Sequence, residues 1–94
     1  MLRNADPLTE AIRILLYMEW DPLGMQRSNE AWSGQYDVYV ATVVRQALAG
    51  ASAENIAAYL DFVESGLMSR LTPAGTTLVV ADRVLKLAAA ARRA

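Results

Sequence analysis

The sequence contains no histidine and no cysteine, and among its 94 residues only three prolines, one phenylalanine and one lysine. The first two absences exclude imidazole base catalysis, thiolate nucleophiles, disulfides and Cys/His zinc sites within this chain. They leave the redox compartment open, because a cytoplasmic protein has no need of disulfides. An excess of one charge is also missing, since nine basic residues oppose ten acidic ones. That balance argues against nucleic-acid binding driven by a strong overall field. No run approaches the roughly 18–20 uninterrupted apolar residues of a membrane span. The opening MLRNADPLTEAIR carries charges where a signal peptide has its apolar core. The expectation is a cytoplasmic protein with no membrane segment.

What is present favours helices. The apolar fraction is 54%, and much of it is alanine, which promotes helix but adds little core volume. Leucine, valine, isoleucine and methionine are plentiful enough to build one core. At this length folding buries roughly 60–65% of the extended surface, which supports one core and not two. Residues 1–94 are therefore expected to form a single helical-bundle domain.

Asp6-Pro7 reads as a helix start, with the aspartate capping free N–H groups and proline in the first turn. Leu8, Ile12, Leu15 or Leu16, and Tyr17 or Met18 recur at helical spacing. Pro22 should end this helix at Trp20 or Asp21. Residues 21–34 are punctuated by Pro22, Gly24, Ser28, Asn29, Ser33 and Gly34, with room for one helical turn over Asn29–Trp32. A connection that carries Trp, Leu and Met is expected to pack on the bundle, with Trp20, Leu23 and Met25 pinning it.

Gln35 to Ala49 reads as the second helix, with Tyr36, Val40, Val43, Val44, Ala47 and Leu48 as one stripe and Gly50 as its stop. Ser52 caps the third, whose inner face is Ile56, Tyr59, Leu60, Val63 and Leu67. Thr72-Pro73 repeats the cap-plus-proline start. The fourth helix runs to about Ala91, with Leu78, Ala81, Leu85 and Ala88 on one face and Val80, Val84 and Leu87 on the next. Its apolar residues spread over more than one face, which invites a homodimer through this helix. Arg83, Lys86, Arg92 and Arg93 load its second half with positive charge, favourable against the helix dipole. The expected fold is all-α: a compact bundle of four main helices, with an extra short helical turn allowed in the first connection.

Candidate functional residues concentrate near that connection. Glu19, Asp21, Glu30 and Asp37 form the densest acidic neighbourhood along the chain. A negative face of this kind steers the approach of a basic protein partner, and the same residues also suit an ordinary solvated surface. Trp32 and Tyr39 are the aromatic candidates for such a contact, since aromatic residues anchor interfaces. Tyr36 shares the apolar stripe and belongs to the core. Asp21 and Asp37 are the best carboxylate pair for a divalent cation, although each also stands where helix-end rules place an acid.

The stretches E-W-D-P-L-G and Q-Y-D-V-Y-V, followed by G-A-S-A-E-N-I-A-A-Y-L, together resemble the YugE-like family of small uncharacterised helical bacterial proteins. The pattern W-D-P-x-G followed by Y-D-x-Y falls on Trp20, Asp21, Pro22, Gly24, Tyr36, Asp37 and Tyr39. The chain departs from it at Gln35, where an acid is expected, and at Ser69, where glycine is expected. The resemblance spans roughly residues 8–90 and implies a compact helical bundle with no established enzymatic activity.

Two functional expectations follow. The first is a non-enzymatic protein-binding module of immunity or antitoxin type, with no cofactor and no metal, contacting a partner such as a basic toxin domain. Its contact residues would be Glu19, Asp21, Glu30, Trp32, Asp37 and Tyr39. The alternative is a small ligand- or cation-binding protein, or an enzyme, using Asp21 and Asp37.

Overall fold

A computed structural model describes residues 6–24, 34 and 36–93. The elements are α1 (Pro7–Leu15), α2 (Asp37–Leu48), α3 (Ala53–Phe62) and α4 (Thr76–Arg93). Two of them continue into a wider π-helical turn, α1 through Leu16–Trp20 and α3 through Val63–Leu67. The architecture is an all-α bundle of four helices, with no strand among the described residues. The helical turn expected over Asn29–Trp32 lies outside the described residues, as do Met25, Glu30, Trp32 and Gln35.

Local rules place most of the boundaries. Asp6 accepts a hydrogen bond from the Thr9 backbone N–H at 2.8 Å, and Pro7 opens α1. Bonding from Thr9 holds the Asp6 carboxyl below its usual range. Ser52 caps α3 in the same way, accepting from the Asn55 N–H at 3.1 Å. Gly50 ends α2 at φ +86°, in the left-handed region that costs glycine no Cβ clash.

The α3–α4 connection departs from expectation. Thr72-Pro73 does not begin α4. The helix starts at Thr76, and the Pro73 carbonyl accepts from the Thr76 N–H at 3.1 Å. Thr72 turns instead toward α3, for a reason given below. Ser69 adopts φ +53°, in the left-handed region that glycine favours.

α4 is the hub and packs on the other three helices. Its buried residues Thr77, Val80, Ala81, Val84 and Ala88 form one stripe at helical spacing. With it the core takes Ile12, Leu16 and Tyr17 from α1 and its π-helical turn, Tyr36 just before α2, Val43 of α2, and Ile56, Leu60 and Val63 from α3 and its π-helical turn, all with no exposed surface. Three expected core positions are corrected. Leu48, Leu67 and Leu78 are 54, 59 and 45% exposed. Leu48 sits in the last turn of α2, where Arg92 of α4 bonds its carbonyl oxygen at 3.1 Å while its side chain faces outward. The π-helical turn shifts the end of α3 so that Met68, not Leu67, packs on the core. Leu78 lies off the side of the narrow α4 stripe. Of Tyr17 and Met18, the tyrosine is the core residue.

The π-helical turn ending α1 has a packing consequence. Asp21 N–H bonds to the Leu16 carbonyl at 3.0 Å, five residues back rather than four. Trp20, at the end of this wider turn, is only 2% exposed, with its ring against Tyr36 and Tyr39. The end of α3 is built alike, with Met68 N–H bonded to the Val63 carbonyl at 3.0 Å.

Candidate functional site

The Trp20-Asp21-Pro22-Leu23-Gly24 corner is a rigid, docked turn. Asp21 closes α1 in the left-handed conformation, φ 37° and ψ 55°, which aspartate tolerates better than most residues. Its carbonyl accepts from the Gly24 N–H at 3.1 Å, and Gly24 takes φ +71° to complete the turn.

Two buried tyrosines stitch the corner to the start of α2. The Tyr36 hydroxyl donates to Asp21 Oδ1 at 2.7 Å and accepts from the Leu23 N–H at 3.0 Å. The Tyr17 hydroxyl accepts from the N–H groups of Gly34 and Tyr36, each at 3.1 Å. The Tyr17 and Tyr36 rings lie 4.7 Å apart between centroids. Burial, then the bond to the Asp21 carboxylate, pushes the Tyr36 phenol well above its usual value near 10.

That shift has a definite sign. Folding favours the neutral phenol, so the stabilisation is complete below the unfolded value near pH 10. It is lost as pH rises from there through the higher folded value. Tyr36→Phe is expected to lower stability at neutral pH by about 1.5–3 kcal/mol, the worth of a hydrogen bond to a charged acceptor. It should also shrink the loss of stability above pH 10, read by chemical denaturation at a series of alkaline pH values. An unchanged alkaline slope would assign that loss to other groups.

Asp37, in the first turn of α2, faces the positive end of the helix dipole. Arg13 of α1 reaches it, donating from Nε to Oδ1 at 3.2 Å. The same guanidinium bonds Glu10 at 3.3 Å and lies 5.2 Å from the Tyr17 ring centroid. Glu19 turns to α4, where Arg83 bonds it at 2.9 Å. Glu19 and Asp37 therefore belong to two different seams, α1–α4 and α1–α2. Of the acids that neighbour each other along the chain, Glu19 and Asp37 thus stand in separate seams.

Tyr39 is half-buried rather than free at the surface. Its ring meets Trp20 at 6.3 Å in an edge-to-face arrangement, because the docked indole fills the space beside it. Glu30 and Trp32, the remaining expected contact residues, lie outside the described residues.

The tightest polar arrangement is one that the sequence reading missed. Glu64, in the π-helical turn of α3, is 3% exposed. The Trp20 indole Nε1–H donates to its Oε2 at 2.8 Å. Thr72 donates its backbone N–H to Oε1 at 2.9 Å and its hydroxyl to Oε2 at 2.8 Å. This carboxylate ties the end of α1, the end of α3 and the α3–α4 connection to one point, and it explains why Thr72 does not cap α4. The available signal was position: Glu64 follows Ile56 and Leu60 at four-residue steps, a charge on the apolar stripe. A second carboxylate, Asp61, accepts from the buried Thr77 hydroxyl at 2.7 Å.

Chemically, this arrangement holds helices together. Asp21, Asp37, Asp61 and Glu64 each accept from a different donor, and no three potential metal-ligating side chains converge among the described residues. No helix among them is long and apolar enough to cross a membrane. No family model, curated protein or solved structure matches the chain.

Proposed function

We propose that the protein is a non-enzymatic binding module that presents the α1–α2 seam to another protein. The observation that carries this reading is the division of labour among its carboxylates. Asp21 and Glu64 are turned inward and hold the corner, whereas Asp37 and Glu10 keep 53 and 47% of their side chains exposed on either side of Arg13. Val38, beside Asp37, is 66% exposed. A rigid edge with two carboxylates and an adjacent apolar side chain suits a partner of positive charge, which it would steer through long-range attraction. An immunity-type role toward a basic toxin domain is the form of this function that the charge favours.

Affinity capture from the native host with the intact chain as bait tests the reading. The expected result is one basic partner recovered at near-stoichiometric yield, with association slowed by salt. Asp37→Lys should weaken that association about tenfold or more, because it sets like charges against each other. Capture of nothing stoichiometric, or a partner indifferent to Asp37→Lys, would remove the proposal.

A further inference from the structure

The outer face of α4 is complementary to its own reverse. We propose that two copies of the chain pair antiparallel through this face, about a two-fold axis at the height of Val84. Asp82 lies two residues before that level and Lys86 two residues after it. An antiparallel pair therefore sets Asp82 of each copy against the partner's Lys86, twice. Within each copy Lys86 bonds Asp82 at 3.1 Å, yet both side chains stay well exposed, 76 and 56%, so across the seam the two pairs join into one alternating four-charge cluster.

The apolar positions obey the same symmetry. Leu78 and Val79 stand 45 and 53% exposed at one end of the face, and the exposed Ala89 and Ala90 stand equally far from the axis at the other. Large side chains on each copy thus meet small ones on its partner, which lets two helices approach to about 8–10 Å. Charge fixes the direction. Residues 83–94 hold four cations and no acid, so a parallel pair would stack positive on positive. Antiparallel pairing instead brings Arg93 of one α4 to the first turn of the other, where Glu19, bonded by Arg83 of its own copy, lines the surface beside Gly75, Thr76 and Val79. It also opposes the two helix dipoles favourably.

One helix face is smaller than the roughly 800 Å² per partner of a standard interface. The dimer is accordingly weak and strongly dependent on salt.

Sedimentation velocity on the purified chain, from about 10 µM to about 1 mM, reads this directly. The decisive comparison uses Asp82→Lys and Lys86→Asp. Each variant alone sets like charges together and should associate at least about tenfold more weakly than the parent. An equimolar mixture of the two restores both opposite-charge pairs and should dimerise like the parent. Circular dichroism checks that the variants keep their helix content, as expected for exposed positions. A parent that stays monomeric throughout overturns the proposal. So does a single variant that associates as the parent does, or a mixture that stays monomeric. The measurement uses this chain alone, so its result is independent of any partner at Asp37.

Discussion

Trp20→Ala is expected to lower the unfolding free energy by about 3–5 kcal/mol, the range for removing a large aromatic side chain from a packed core. A chain of this size has about 5–14 kcal/mol in total, so the variant should lose about a fifth of its stability or more. Two effects add. The indole is 2% exposed and packs on Tyr36 at 5.5 Å and Tyr39 at 6.3 Å, so its loss opens a cavity against rings that cannot collapse into it. Its N–H is also a donor to the buried Glu64 carboxylate. Trp20→Phe separates the two, because the smaller ring keeps much of the packing and removes only the donor. That variant should cost about 1.5–3 kcal/mol, the worth of a bond to a charged group. Urea denaturation followed by far-ultraviolet circular dichroism measures both. A cost below about 1 kcal/mol for Trp20→Ala would mean that the ring contributes little to the core.

The corner shows which parts of the fold are legible in a sequence. Asp6-Pro7, Ser52 and Gly50 mark boundaries because caps and left-handed stops act within a few residues. The docking of Trp20 follows from composition, since a connection rich in large apolar side chains has somewhere to bury them. Thr72-Pro73 fails as a helix start because a tertiary partner, Glu64, competes successfully for the threonine N–H and hydroxyl. Local rules cannot see that partner. The π-helical turns are hidden for a similar reason. They change which residue faces inward, as with Met68 in place of Leu67, and no propensity announces them. The ion pairs Arg13–Asp37 and Arg83–Glu19 depend on which helices become neighbours. Hence Glu19 and Asp37, near each other along the chain, pair with cations on different helices.

Glu64 carries the second large effect. Glu64→Leu removes the acceptor while keeping an apolar side chain of similar size. It leaves the Trp20 Nε1–H and the Thr72 N–H without their shared carboxylate, and each orphaned donor costs about 1–3 kcal/mol. The expected total is about 2–6 kcal/mol. Glu64→Gln keeps the shape and can still accept from Thr72 through its carbonyl oxygen. Its amide N–H₂ then faces the indole N–H, donor against donor, so one bond is lost and about 1.5–3 kcal/mol with it. The two substitutions distinguish an acceptor from mere volume. If filling space were the role of Glu64, leucine would be the milder change.

A double-mutant cycle isolates the link between the two helix ends. In a Glu64→Leu background, Trp20→Phe removes a donor that is already orphaned, so it should cost less than in the parent chain. The coupling is expected at about 0.5–3 kcal/mol. Additivity within about 0.5 kcal/mol would show that the 2.8 Å indole–carboxylate bond contributes nothing beyond the packing of its two partners. Coupling of the expected size makes the corner and the α3–α4 connection one cooperative unit, held at a single buried carboxylate. The α1–α2 edge proposed to meet a partner then rests on a corner anchored from the far side of the bundle.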